Sequence, residues 1–368
     1  MLDGLRGIAV LLVILSHTNV VHNGYIGVDL FFALSGFLIT SLLYEEWEGS
    51  GRVSLRGFYE RRARRLLPAL VLAVVVFFLL VSFIQPAPGW SPITKVLTSL
   101  LFINNWIAGL GHSTSLSGMS PTWSLAEEEQ FYLLWPLVLL FLLRHKVPPL
   151  VVVGLLLAWS AALVEIGAHM RQLIPLYSYY YSPLDRGAEL LFGCAGAVVW
   201  RNRLVPSVGD LSLLTDRFRT ALVRHRQLIR GVVALVPIAV FTWLLLFAQI
   251  NDQRVIYLSA GALSVAVIVL LVEAPRSLPA RVLGCRPLRL VGRVSYCVYL
   301  THLLLRNAIQ HYVPGQTKYF YFATTTIASL MLATISWRLV ESKVIAAGRA
   351  RRSADAGAWR GAAVEVAG

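Results

Sequence analysis

Charge is what this chain has least of. Only 14% of its 368 residues are Asp, Glu, Lys or Arg, 57% are hydrophobic, and the mean hydropathy is +0.67. Soluble domains carry about a quarter charged residues, so a water-soluble protein is excluded and a polytopic membrane protein is implied. Cysteine is nearly absent: Cys194, Cys285 and Cys297 are scattered without CxxC spacing, which points to neither a disulfide framework nor a zinc site. Lysine is scarce beside arginine, four against 29, a bias that suits GC-rich bacterial coding. There is no stretch long enough for a sizeable soluble domain and no obvious internal repeat. The first apolar segment also lacks the basic n-region and A-x-A site of a cleaved signal peptide. The formal charge of +14 is concentrated between apolar segments, so it reads as membrane topology and not as nucleic-acid binding.

What the chain has instead is apolar runs of transmembrane length. Ten stretches suit helices of roughly 17 to 25 residues: 5–22, 25–44, 67–84, 122–143, 148–167, 184–200, 228–249, 256–273, 290–310 and 319–340. An eleventh, at 96–108, is short and holds Asn104 and Asn105. If it does not cross and the N-terminus is inside, the inner loops carry 23 Lys and Arg and the outer loops only four, Lys95, Arg171, Arg254 and Lys318. Letting it cross would put the Arg-rich loops on opposite sides, against the positive-inside bias. The expected fold is therefore an all-α, polytopic transmembrane helix bundle of about ten spans in the plasma membrane. Both termini are cytoplasmic and the segment near 96–108 is re-entrant. Residues 1–342 form the membrane domain, stretch 201–227 lies on the inner surface, and 343–368 are a small-residue-rich, disordered cytoplasmic tail.

Several ionisable groups fall inside these spans, where each costs about 2.5–3.5 kcal/mol and so faces a bundle interior or a wet cavity. Arg6 and His17 are eleven positions apart, about three helical turns or roughly 16 Å along one face. Asp29, on the returning segment, is expected at the depth of His17, where a carboxylate can fix an imidazole's tautomer; the alternative is a hydrogen bond to a neighbouring helix. Arg61, Arg62, Arg64 and Arg65 stand at the inner mouth of a span. They read either as a positive-inside anchor or, with Arg6, as bidentate ligands for a polyphosphate such as that of coenzyme A. Glu127, Glu128 and Glu129 follow Trp123 and cannot all face one cavity, since successive residues point about 100° apart. Arg186 and Glu341 suit structural ion pairs as well as function, and His302 suits either a substrate cavity or helix packing.

The pattern resembles the acyltransferase 3 family of integral membrane acyltransferases. The likeness rests on Arg6 and His17 in the first span, "GVDLFFALSGFLI" at 27–39, "RRARRLLP" at 61–68, "TWSLAEEEQFYLLWP" at 122–136 and "GRVSYCVYLTH" at 292–302. These cover about residues 2–342 in order. Two departures stand out. Glu127 replaces a usual aliphatic residue, so the family glutamate corresponds to Glu128, and the chain begins at "MLDGLRG" without the usual short polar lead. The 368 residues leave no room for the SGNH-type domain fused to some members.

The resemblance implies transfer of an acyl group, often acetyl, from cytoplasmic acyl-CoA to a hydroxyl of a sugar, cell-envelope glycan, glycolipid or macrolide, without a metal. His17 is then the general base, since imidazole can take the proton of a weakly nucleophilic alcohol, and Asp29 orients it. Arg6, Arg61, Arg62, Arg64 and Arg65 hold the CoA phosphates. Glu128 and Trp123 shape the acceptor side, joined by Glu129, Arg186 and His302, and Ser35 or Tyr299 stabilises the developing oxyanion. Direct transfer is favoured over a covalent acyl intermediate because no strongly activated Ser or Cys is apparent beside His17. The residues leave the acceptor, the acyl chain length and the oligomeric state open. The rival reading is a multi-span transporter of a small anionic or acylated substrate, whose usual inverted repeats and broken helix pairs are not found.

Overall fold

Away from water every backbone N–H and C=O must be satisfied within its own segment, so long apolar runs fold as helices. The structure, a computed structural model, describes residues 1–83, 90–112, 116–174, 178, 180–204, 235–243, 253–348 and 350; among them there is no strand, and the fold is all-α. In chain order the helices are α1 (Leu2–His17), α2 (Ile26–Ser50), α3 (Leu55–Phe83), α4 (Pro92–Leu100), α5 (Asn104–Ile107), α6 (Thr122–Arg144), α7 (Pro149–Leu173) and α8 (Pro183–Arg201). They continue with α9 (Gln253–Glu273), α10 (Leu278–Leu283), α11 (Arg286–Tyr312) and α12 (Lys318–Ser336), the last running on through a π-helical turn at Trp337–Glu341. Residues 235–243 are also helical.

Local chemistry sets many of these ends. Ser182, Ser277 and Thr317 cap α8, α10 and α12 by accepting a hydrogen bond from a first-turn N–H. Gly51 closes α2 in the left-handed region at φ 66°. Four helices, 26–50, 55–81, 149–173 and 318–348, are long and apolar enough by length and composition to cross a membrane.

Several expected boundaries move, among them that of the expected disordered tail: residues 342–348 are helical. α1 stops at His17, not 22: Thr18 turns its hydroxyl back on the Ile14 carbonyl at 2.8 Å, and Asn19 takes a left-handed φ of 57°. α3 starts at Leu55, twelve residues before the expected 67, so the arginine cluster is helical and its side chains have fixed directions. The 96–108 segment breaks at Phe102, φ 52°, into nine-residue α4 and four-residue α5. At about 1.5 Å per residue neither can cross a hydrocarbon core of about 30 Å. Of the expected span 228–249 only 235–243 are described; most of stretch 201–227 and the tail from 351 lie outside the described residues.

α2 is the hub. Of its most apolar window 78% is buried, against 28% or less for α3, α7 and α12, which turn Val71, Leu155 and Met331 outward. It packs on α1, α6, α8 and α9, while α11 lies against α1, α3 and α12. Among the contacts that require glycine, two join α2 to α8. A Cβ on Gly193 would run into the Ala33 carbonyl of α2, and one on Gly36 into the Leu190 carbonyl of α8. The two helices therefore touch backbone to backbone. Gly193→Leu should drive them apart at an overpacking cost of about 1–3 kcal/mol. A detergent thermal melt should show a Tm several degrees lower, with Leu155→Ala on the outer face near the parent value.

Candidate active site

One end of the bundle, where α1 and α3 begin and α2 finishes, is hollow. A cavity of about 70 Å³ is lined by Arg6 of α1, Ser35 of α2, Arg62 and Arg65 of α3, Ser124, Glu128 and Tyr132 of α6, and Tyr296 and Tyr299 of α11. It shares Arg6, Ser35, Arg62, Arg65 and Tyr132 with a wider cleft of about 650 Å³ that reaches Asp3, Leu42, Glu46 and Arg61. Together they form a passage from the arginine-rich end of the bundle inward to the Tyr299 phenol.

The four arginines on this passage, and Arg64 in a neighbouring cleft, separate by partner. Arg61 meets Glu46 at 3.2 Å, and Arg64 meets Glu60 one turn back at 3.2 Å. Arg62 forks onto Glu129, with Nε and Nη2 at 2.9 and 2.5 Å from Oε1, lies 3.2 Å over the Tyr132 ring, and has Glu128 at 3.8 Å. Arg6 and Arg65 pair with no carboxylate among the described residues, and the buried Nε of Arg6 has no hydrogen-bond partner. Both face the cavity. Two unpaired guanidiniums lining one cavity form a site for an anion.

Deeper in, Ser35 Oγ donates to Glu128 Oε1 at 2.5 Å, and the hydroxyls of Ser124 and Tyr299 share a hydrogen bond of 2.6 Å. Glu128, expected on the acceptor side, thus belongs to the arginine-lined cavity. The cause lies upstream. α4 and α5 fold into the protein, where Asn104 Nδ2 donates to the Thr122 hydroxyl at 2.6 Å. α6 therefore starts already buried, and its second turn reaches the level of Arg62.

His17 and Asp29 do not couple. His302 Nε2 lies 3.2 Å from His17 Nδ1, and the rings meet edge-on with centroids 4.9 Å apart. Asp29 is fully buried in an ion pair with Arg186, which also reaches Glu189 at 2.9 Å. A buried arginine takes the carboxylate that the sequence assigned to the imidazole, because α8 packs against α2 at Gly36 and Gly193 and carries Arg186 to the Asp29 level. Arg186 and Trp123, expected to bind substrate, are enclosed. Arg186 lies within 5.5–5.8 Å of the Phe32, Trp123 and Tyr180 rings, and Trp123 packs on Phe32 and Tyr181. Glu129, likewise expected to bind substrate, is held by Arg62, and His302 is buried against His17. Glu341 accepts from Ser336 at 2.6 Å. Among the described residues no group of three His, Cys, Asp or Glu stands close enough to hold a metal ion.

Ser124, Tyr132 and Ser295 were missed at the sequence level, yet a signal was present. Ser124, Glu128 and Tyr132 recur every four residues, as do Ser295 and Tyr299, so each set lies along one helix face. Glu127, left open from sequence, is buried and accepts from Asn105 Nδ2 at 2.9 Å.

Comparison with known proteins shows the family. A family model described as an acyltransferase domain matches residues 1–339, and the chain belongs to that family. It is similar to the peptidoglycan O-acetyltransferase OatA of Listeria monocytogenes, 32% identical over 93% of this chain and 55% of that protein. It is also similar to the putative peptidoglycan O-acetyltransferase YrhL of Bacillus subtilis, 30% identical over 93% and 54%. The O-acetyltransferase OatA of Staphylococcus aureus is 28% identical over 93% and 56%. The chain spans about half the length of these relatives. No solved structure matches.

Breaking a buried ion pair by removing one partner costs about 3–5 kcal/mol. Arg186→Ala, which strands Asp29 and Glu189, should therefore leave little monodisperse protein on size-exclusion chromatography. Asp29→Asn, whose amide oxygen still accepts from Arg186, should lower the Tm far less.

Proposed function

We propose that this chain is a multi-span plasma-membrane O-acyltransferase domain that moves an acyl group, acetyl in the simplest case, from cytoplasmic acyl-CoA to a hydroxyl of a cell-envelope glycan. The names of two relatives make a peptidoglycan hydroxyl the first acceptor to test. The observation that carries the reading is the passage itself, with two unpaired guanidiniums at its arginine-rich end, serine and tyrosine hydroxyls within, and an imidazole pair next to its inner wall. The ten-span topology with both termini inside is supported by the distribution of 23 against four basic residues between the two sets of loops. The shortness of α4 and α5 fits it as well. It places Arg6 and Arg65 on the cytoplasmic side, where acyl-CoA is found. Residues 1–342 are the transferase domain, and 343–368 a cytoplasmic tail.

In this mechanism Arg6 and Arg65 grip the donor's phosphates, and Arg62, Arg61 and Arg64 set the basic field while staying tied to Glu129, Glu46 and Glu60. The acyl thioester lies toward Tyr299, whose hydroxyl is free to donate to the carbonyl oxygen as charge develops there when Ser124 supplies the hydrogen of their shared bond; Ser35, whose one hydrogen goes to Glu128, cannot take that part. His17 takes the proton of the acceptor hydroxyl as its oxygen attacks the thioester carbon. The tetrahedral intermediate then collapses, the C–S bond breaks, and the departing thiolate takes the proton back from the imidazolium. Glu128 holds Ser35 in place.

The test is purified protein in detergent with acetyl-CoA and a soluble peptidoglycan fragment, read as release of free thiol and acetylated glycan. Each charge-assisted contact is worth about 1.5–3 kcal/mol, so Arg6→Ala and Arg65→Ala should each raise KM for acetyl-CoA about tenfold or more. Arg61→Ala and Arg64→Ala, whose partners are glutamates, should stay within about twofold. Loss of a general base typically costs about 10²–10⁴ in rate; His17→Ala should lose at least that in kcat while still binding acetyl-CoA. Full turnover without His17, or equal KM effects from all four arginines, would sink the assignment.

A further inference from the structure

The histidine pair is over-determined by two main-chain carbonyls. His17 Nδ1 lies 2.9 Å from the Val13 carbonyl one turn back on α1, and His302 Nδ1 lies 2.6 Å from the Tyr299 carbonyl on α11. A carbonyl oxygen has no proton to give. Both Nδ1 atoms must therefore carry the hydrogen, and in the neutral rings both Nε2 atoms carry the lone pair. The contact between the rings is then settled as well. His302 Nε2, 3.2 Å from His17 Nδ1, presents a lone pair to an N–H already directed at Val13. The opposite assignment would leave one carbonyl facing a bare nitrogen. It follows that His17 Nε2, the ring atom not engaged by either helix, is an unprotonated nitrogen.

We infer that His302 is a positioning residue for His17, a neutral hydrogen-bond acceptor in the place where other catalytic histidines have a carboxylate. The inference deepens the proposed function and rests on His17 being its base. His302 is fully buried, as is Thr301 beside it, so it is shielded from an acceptor glycan and acts through His17 alone. When His17 takes a proton on Nε2 it becomes an imidazolium whose Nδ1–H is a stronger donor. His302 Nε2 receives that hydrogen bond without itself gaining a proton, so no charge is neutralised and no second proton transfer is needed. The Tyr299 side chain lines the passage while its carbonyl holds His302. The wall of the donor cavity and the orienter of the base are thus the same turn of α11. Asp29 does not take this role: it pairs with Arg186, and the hydrogen-bond partners of His17 are Val13 and His302.

Two conservative variants separate the two ring nitrogens. Gln at 302 can place its amide oxygen at the Nε2 position and still accept from His17, whereas Asn can fill the Nδ1 position and satisfy the Tyr299 carbonyl but falls short of His17. His302→Ala and His302→Asn should lose about 100-fold in kcat with KM for acetyl-CoA within about twofold, and His302→Gln should recover most of it. Equal activity of the Asn and Gln variants, or loss of acetyl-CoA binding in step with kcat, would overturn the positioning role. Nitrogen-15 spectra of histidine-labelled protein at a pH where both rings are neutral give a readout independent of turnover. Two histidines should show the Nδ1–H tautomer, one disappearing in His302→Gln and the other in His17→Ala. Either ring found as Nε2–H would refute the inference even in an active enzyme. An inactive parent protein showing the expected tautomers would refute the proposed function and leave the hydrogen-bond assignment standing.

Discussion

A charge inside a helical bundle must be paired or must serve a ligand, and this constraint organises the molecule. Desolvating a guanidinium or a carboxylate costs several kcal/mol unless a partner compensates it, and almost every charged side chain at depth here has one. Arg186 sits between Asp29 and Glu189, and Arg62 on Glu129 and the Tyr132 ring; nearer the surface Arg61 pairs with Glu46 and Arg64 with Glu60. Arg6 and Arg65 are different: neither forms an ion pair among the described residues, and both line the same cavity, Arg6 half-buried and Arg65 exposed. Two guanidiniums without an ion-pair partner on one cavity make an anion its natural occupant.

The paired charges serve that site indirectly. Glu129 clamps Arg62 across α3 and α6, and Glu128 on the next position holds Ser35 of α2. A single stretch of α6 therefore ties two walls of the passage together. That stretch reaches so far in because α4 and α5 are short, and Asn104 anchors their end to Thr122 at the start of α6. A continuous span at 96–108 would have delivered α6 at a different depth and left Arg62 without its partner.

The hydrolytic-triad pattern of base and carboxylate is the natural expectation for an intramembrane His and Asp, and the structure replaces it with a different economy. The carboxylate stabilises an arginine that cross-links α2 and α8, while the imidazole is held by the carbonyl of its own helix and by a second imidazole. A neutral acceptor suits this location, since it avoids placing another net charge in an interior already holding Asp29, Glu127 and Glu189 around one arginine.

The sequence alone was enough for the helical class, the arginine cluster at one end and the family. All of these depend on local composition, on a 3.6-residue period and on short motifs whose residues are neighbours in the chain. The face shared by Ser124, Glu128 and Tyr132 was equally readable, because a helix puts every fourth residue in line. Pairing across helices was not readable. Whether Asp29 meets His17 or Arg186 depends on how closely α8 approaches α2 at Gly36 and Gly193, and whether His302 touches His17 depends on α11 lying against α1. Contacts between residues 157 or 285 positions apart are set by packing between helices, and only the tertiary structure decided them.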